Sequence, residues 1–161
     1  MKTPTILRRK KEGVTDYRKR LNLLKSESPR LVVRISGRGF VGQIVEYDPD
    51  GDLVRLTVNS PTMKKHLGIQ GNNSQACYVA GYFLGKKAMK MDIDYAILDS
   101  GRQHLIKGGR ITAVLKGIID AGLDVPCSED ILPGKERLEG KHLKNALNIA
   151  EIKNKIDEMV K

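Results

Sequence analysis

Tryptophan is absent from this 161-residue chain, and two phenylalanines and five tyrosines are its only aromatic rings besides histidine. Readers of single-stranded RNA stack bases on exposed rings. Here Phe40 and Tyr47 are the only rings in the first two predicted strands, so base stacking has little to work with. Cysteine is scarce as well. Cys77 and Cys127 stand far apart with no C-x-x-C pair. That spacing excludes a disulfide framework and a thiolate zinc site, and a reducing cytosol is the expected setting. His66, His104 and His142 form no H-x-x-x-H or H-E pattern. Neither G-x-S-x-G nor a Walker A sequence occurs. No apolar run approaches the length of a membrane-spanning helix, and the basic N-terminus lacks a signal peptide's apolar core. At this length one domain with a real core is expected, so neither disulfides nor a metal are needed for size.

What the chain has in excess is positive charge. Lys and Arg number 29 against 19 Asp and Glu, a formal net charge of +10. Its location matters more than its size. Residues 1–38 hold twelve basic side chains and three acidic ones, so +9 falls there and only +1 on the rest. A solvated surface mixes its signs. Segregation of this kind is the footprint of a polyanion binder. The plainer reading is a basic tail that aids solubility. An anionic membrane fits poorly, because no strongly apolar helix face accompanies the basic arm.

Gly37, Gly39 and Gly42 form the one literal G-x-G-x-x-G, after a plausible strand. A dinucleotide site needs a helix to start at those glycines. Phe40-Val41-Gly42-Gln43-Ile44-Val45 follows instead, a β-branched and aromatic run that ends at the turn Asp48-Pro49-Asp50-Gly51. The glycines therefore read as a hairpin turn with Arg38 at its tip. The acids of 48–52 are spaced like the start of a calcium loop. Asn59 at the twelfth position and Gly51 at the fourth depart from that pattern, so an ordinary tight turn is the better reading.

In chain order, Met1–Gly13 reads as an arm that stays disordered until phosphates neutralise it. Thr15 is the expected N-cap of a helix over 16–26. Strands follow near 30–36, 40–47 and 53–59, an antiparallel meander. Leu31, Val33 and Ile35 share one face, as do Val54, Leu56 and Val58. Residues 61–73 read as a polar connection. A helix over 74–91 has Ser74 as its cap, and Cys77, Gly81 and Gly85 form a strip of small side chains that would bring it close to the sheet. A fourth strand over 93–98, reached through a helical crossover, should lie parallel to the first. Gly108-Gly109-Arg110 opens a helix to Ala121, either as a phosphate seat or as an ordinary turn. Residues 127–140 are mostly loop. An amphipathic helix over 141–161 would dock on the domain or on a neighbour. The carboxylates Glu46, Asp99 and Asp120 would have to converge for a metal-dependent nuclease, yet Val33 and Ile35 stand where such a plan wants an aspartate.

Several stretches, taken in order, are similar to a known family. They are Thr15-Asp16-Tyr17-Arg18-Lys19-Arg20-Leu21, Pro29-Arg30-Leu31-Val32-Val33-Arg34, Ala76-Cys77-Tyr78-Val79-Ala80-Gly81 and Gly85-Lys86-Lys87-Ala88. Ala96-Ile97-Leu98-Asp99, Val114-Leu115-Lys116-Gly117, Asp120-Ala121-Gly122-Leu123-Asp124-Val125-Pro126 and Glu139-Gly140-Lys141-His142 complete the set. The chain resembles the archaeal branch of the large-subunit ribosomal protein family that binds 5S rRNA, number eighteen in the bacterial count and related to eukaryotic number five. The resemblance spans about residues 8–143.

It implies an α/β domain of ribosomal, ribonuclease-H-like topology without catalytic activity: a three-stranded antiparallel meander extended by a parallel strand and packed with helices. It implies a basic RNA-binding arm over 1–14, the 5S rRNA-binding domain over 15–130, and a C-terminal loop and helix over 131–161. The implied partners are 5S rRNA, 23S rRNA and neighbouring large-subunit proteins, with no membrane, metal or cofactor. Carried over by position, the RNA-contact candidates are Arg8, Arg9, Lys10, Lys11, Thr15, Tyr17, Arg18 and Arg20. Arg30, Arg34, Ser36, Arg38 and Gln43 follow in the hairpin, then Asn72 and Arg110. The turn Ser36-Gly37-Arg38-Gly39 departs from the polar turn usual in relatives, and Cys127 stands where they often have His. The alternative class, a nucleotide- or metal-dependent enzyme, needs a ligand at Gly37–Gly42 or near Asp99.

Overall fold

Alternation over 30–35 sets the centre of the molecule, because successive side chains of a strand point to opposite faces. Leu31, Val33 and Ile35 are buried on one side; Val32 and Arg34 lie half-buried on the other. The structure is a computed structural model that describes residues 6–37, 39–140 and 146–160. In chain order it runs α1 (Arg8–Lys11), α2 (Tyr17–Leu24), β1 (Arg30–Ile35), β2 (Phe40–Glu46), β3 (Leu53–Asn59) and α3 (Ser60–Leu67). Then come α4 (Ser74–Met89), β4 (Ile97–Asp99), α5 (Arg110–Asp120), a 3-10 turn (Glu129–Ile131), α6 (Lys135–Glu139) and α7 (Ile149–Val160).

The sheet order is β3-β2-β1-β4. Leu31 lies opposite Ile44 in the antiparallel β1–β2 pair and opposite Leu98 in the parallel β1–β4 pair. The expected meander with a parallel fourth strand is thus the observed one. Gly37 and Gly39 flank the turn between β1 and β2, and no helix begins there. One part of the pattern breaks. Ile44 faces Leu56 but Val45 faces Val54, so Arg55 is the extra residue of a bulge. Val58 remains buried, whereas Val54 is 47% exposed and joins Val45 on the opposite face. The fourth strand is also shorter than expected, since residues 93–96 approach it without pairing to β1.

The helix boundaries move for reasons of capping. Asp16, not Thr15, caps α2, its carboxylate accepting from the N–H groups of Arg18 and Lys19. Thr15 instead accepts a hydrogen bond from Arg9 Nε at 2.9 Å. Arg8–Lys11, expected as unstructured arm, forms one helical turn. Asn73 rather than Ser74 caps α4. Helix α3 replaces the expected polar connection. Asn59 accepts from the Thr62 N–H, Pro61 sits in the first turn, and Gly68 ends the helix at a φ of 69°. All three are helix-boundary signals that the sequence carries.

Helices α4 and α5 cover the Leu31/Val33/Ile35 face. Gly81 and Gly85 do not serve the sheet; they face α5. A Cβ on Gly81 would stand 2.1 Å from the Val114 carbonyl oxygen, and one on Gly117 would stand 2.1 Å from that of Tyr78. The two backbones meet at these glycines. Replacing Gly81 with Ala gains about 1 kcal/mol of helix propensity, yet overpacking against main chain costs about 1–3 kcal/mol and no rotamer relieves it. We expect a net loss of stability for Gly81→Ala in chemical denaturation. For the Gly81→Ala/Gly117→Ala pair we expect a loss smaller than the sum, because the first substitution already parts the helices. An unchanged or raised midpoint for Gly81→Ala would refute the close approach.

The C-terminal segment docks on α4. Ile156 is fully buried, and the Tyr82 hydroxyl donates to the Asp157 carboxylate at 3.0 Å. Lys153 Nζ lies 5.1 and 4.8 Å from the ring centres of Tyr78 and Tyr82. The helix expected over 141–161 starts only at Ile149, and 141–145, with Leu143 and His142, lies outside the described residues. Buried Gln75 secures the approach to α7. Its Nε2 donates to the Leu138 carbonyl at 2.8 Å, and its Oε1 accepts from the Leu147 N–H at 3.0 Å. Burial pushes the Cys77 thiol up to about 12, so it packs as a small apolar group.

Candidate nucleic-acid interface

The other face of the sheet carries Arg30, Val32 and Arg34 from β1, with Val45, Gln43 and Val41 opposite them on β2. Asp99 lies opposite Val32 on β4. Parallel pairing of β4 is what brings this carboxylate beside two arginines far away in sequence. Arg30 Nη1 donates to Asp99 Oδ2 at 3.1 Å, and Arg34 Nη2 donates to Asp99 Oδ1 at 3.1 Å. Arg30 Nη2 donates to Asp52 Oδ2 at 2.6 Å, and Arg20 Nη2 reaches both Asp52 oxygens at 3.0 and 2.9 Å. The result is one chain of alternating charge, Arg20–Asp52–Arg30–Asp99–Arg34, which ties α2 to the sheet.

Burial alone would raise the Asp99 carboxyl. The Arg34 guanidinium, the Gly101 N–H and Arg30 outweigh burial and hold it below the usual carboxylate range. Asp52 is also lowered: burial acts upward, and the hydrogen bonds from Arg20 and Arg30 act downward and win. Both carboxylates therefore stay ionised near neutral pH.

Arg30 is 2% exposed and closed in by its two aspartates. Arg30, an RNA-contact candidate in the sequence, holds the sheet and α2 together in this structure. Arg20 is partly engaged in the same way. Arg34 keeps 43% of its side chain exposed. Gln43 Nε2 donates to Thr57 Oγ1 at 3.0 Å, and Ser36 Oγ exchanges hydrogen bonds with the Gly39 backbone. Asn72 donates to the Ser36 carbonyl, so these two candidates do come together at the hairpin end. Arg38 lies outside the described residues.

The exposed cations gather on the far side of α2. A cleft of about 630 Å³ is lined by Lys10, Tyr17, Arg18, Arg102, Gln103 and His104, among others. Lys19 fixes its floor, with Nζ donating to Ser100 Oγ at 3.1 Å and to the Gly101 carbonyl at 2.9 Å. The Gln103 amide pairs with both the N–H and the carbonyl of Ile35, pinning the 100–108 loop to the end of β1. His104 also lines a smaller cleft that reaches Arg110. Lys10, Arg18, Arg102, His104 and Arg110 thus form a continuous band. Sequence reasoning missed Lys19, Arg102 and His104, because no local pattern marks a loop that is basic only by juxtaposition.

Gly108 and Gly109 form the turn that leads into α5. The Gly108 N–H donates to the Ile131 carbonyl and the Gly109 N–H to that of Ile106. Glu46, Asp99 and Asp120 do not converge. Glu46 pairs with Arg55 at 2.8 Å, and Asp120 accepts from the Tyr78 hydroxyl and pairs with Lys116. Among the described residues no three metal-ligating side chains cluster.

The arrangement offers fixed cations on a rigid scaffold with little exposed aromatic surface, chemistry that suits phosphates and folded shape rather than base edges. A family model described as ribosomal large subunit proteins 60S L5 and 50S L18 matches residues 4–96. The large ribosomal subunit protein uL18 of Picrophilus torridus is 51% identical over 158 residues, 98% of this chain and all of that protein. Its counterpart in Thermoplasma acidophilum is 46% identical over 96% of this chain and 95% of its own length. The Methanococcus maripaludis protein of that name is 45% identical over 86% of this chain and 72% of its own length.

Proposed function

Given that this chain belongs to the family of ribosomal large subunit proteins 60S L5 and 50S L18, we propose that it binds 5S rRNA and helps attach it to 23S rRNA. It is a cytoplasmic structural protein of the large ribosomal subunit, not an enzyme, and its partners are rRNA and other ribosomal proteins. The observation that carries the RNA assignment is the band from Lys10 and Arg18 through Arg102 and His104 to Arg110, set beside the +9 of the first 38 residues. Its cations meet backbone phosphates and its scaffold reads shape. The residues proposed to touch RNA are Arg8, Arg9, Lys10, Lys11, Tyr17, Arg18, Arg34, Arg38 and Arg110, now joined by Arg102 and His104. Thr15, Ser36, Gln43 and Asn72 would add hydroxyl and amide contacts at the edges. Residues 1–14 act as the arm, and 15–130 as the shape-reading body.

The test is recovery of the tagged chain from native cells, followed by sequencing of the RNA that comes with it. We expect 5S rRNA to be enriched over other small RNAs of similar abundance. Equal recovery of 5S rRNA and transfer RNA would remove the assignment.

A further inference from the structure

Residues 53–91 contain no Asp or Glu, yet they hold Arg55, Lys64, Lys65, His66, Lys86, Lys87 and Lys90. Lysines in the last turn of a helix favour its dipole, and that explains each cluster singly. It does not explain why two such helix ends meet. The His66 ring, in the last turn of α3, lies 6.2 Å from the Phe83 ring on α4. Lys87 Nζ stands 4.3 Å from the centre of that same Phe83 ring. The two basic ends therefore form one surface around a shared ring. Arg55 is engaged by Glu46 and Lys86 by Asp157. Lys64, Lys65 and Lys87 have no carboxylate partner among the described residues, and Lys64, Lys65 and His66 are exposed.

This surface is distinct from the cleft beside α2. Helix α4 packs on the Leu31/Val33/Ile35 face, whereas α2 and its cleft sit across the Arg30/Val32/Arg34 face. The sheet separates this surface from the α2 side of the first band, whose other end, Arg110, opens α5. We propose that Lys64, Lys65, His66 and Lys87 form a second RNA-backbone surface, which holds an RNA segment distinct from the one gripped beside α2. The inference rests on the RNA-binding reading above and extends it: a chain with cations on both sides of its sheet can clamp two RNA segments at once. RNA suits the surface better than an acidic protein does. Phe83 is 2% exposed beneath Lys87 and His66, so the patch offers neither a stacking platform nor the apolar anchor on which protein interfaces depend. Spaced ammonium groups without an anchor match phosphates.

The test uses the full-length chain, 5S rRNA immobilised on beads and a labelled large-subunit rRNA transcript. We expect the unaltered chain to retain the transcript on the beads. We expect the Lys64→Glu/Lys65→Glu/Lys87→Glu variant to bind 5S rRNA within about twofold of normal while capture of the transcript falls roughly tenfold. The corresponding Lys→Ala variant, which adds no repulsion and keeps the thermal transition, should lose capture less steeply. Lys→Arg at the three positions should restore it. Capture by the Glu variant equal to that of the unaltered chain would overturn the second surface alone. So would displacement of the transcript by poly-glutamate as effective as displacement by unlabelled RNA. Failure of the unaltered chain to bind the 5S rRNA beads would instead overturn the RNA-binding reading on which this one rests.

Discussion

Between 50 and 200 mM salt, 5S rRNA affinity is expected to fall by about 10³–10⁵. That range follows if six to ten phosphates are neutralised, since each contact releases counterions and log K falls by about 0.9 per contact per decade of salt. The exposed candidates, Arg8, Arg9, Lys10, Lys11, Arg18, Arg102 and Arg110, are numerous enough for that slope. Removing residues 1–14 takes away Lys2, Arg8, Arg9, Lys10 and Lys11. The truncated chain should therefore show a slope flatter by roughly three to four. Its fold should survive, because among the described residues α1 buries none and is tied to Thr15 by exposed hydrogen bonds of Arg9. Filter binding across a salt series measures both slopes. A flat line for the full chain would mean that phosphates are not what it reads, and identical slopes for the two chains would place the contacts away from the arm.

Asp99→Ala should destabilise the fold by about 3–5 kcal/mol, the usual cost of removing one partner from a buried ion pair. Arg30, with 3% of its side chain exposed, would keep only Asp52, and Arg34 would lose its carboxylate partner. The pH dependence has a definite sign. Asp99 and Asp52 titrate below the unfolded aspartate value of 3.8. Their contribution is therefore complete above that value and is lost as pH falls through the lowered folded values. Urea denaturation from pH 7 down to pH 3 should show stability holding to about pH 4 and then declining. The Asp99→Ala chain, already lacking one of the two groups, should decline less. A variant as stable as the parent, or parallel pH profiles, would contradict the role given to this ion chain. RNA affinity measured on the folded variant separates support from contact: a large loss would show that Arg34 needs Asp99 to be presented correctly.

The strands were legible because their side-chain period of two is local. Leu31, Val33 and Ile35 announce a buried face, and the Asp48–Gly51 turn announces a hairpin. The order of the sheet was legible too, since a helical crossover brings the next strand back parallel. Helix α3 was written in the sequence as Asn59, Pro61 and Gly68, and its polar surface hid those signals. The bulge at Arg55 left no mark, because one extra residue in a strand costs little locally and is decided by cross-strand packing. The strip Cys77–Gly81–Gly85 told of a close approach but was read as meeting the sheet, whereas its glycines meet α5. Only packing showed that Gly117 on α5 completes the contact.

The interface divides in the same way. The chain by itself determined that cations are concentrated in residues 1–38, that rings for stacking are few, and which ordered stretches mark the family. Charge, composition and local order are properties of the sequence, and no folding is needed to read them. Which cations are available was decided by tertiary structure. Arg30 and Arg18 are alike on the page, yet the parallel placement of Asp99 and the turn carrying Asp52 enclose the first and leave the second exposed. Arg102 and His104 joined the band, and Lys64, Lys65 and Lys87 formed a second surface, through contacts between residues far apart in the chain. A guanidinium's role depends on whether carboxylates or solvent surround it, and only the fold determines that surrounding.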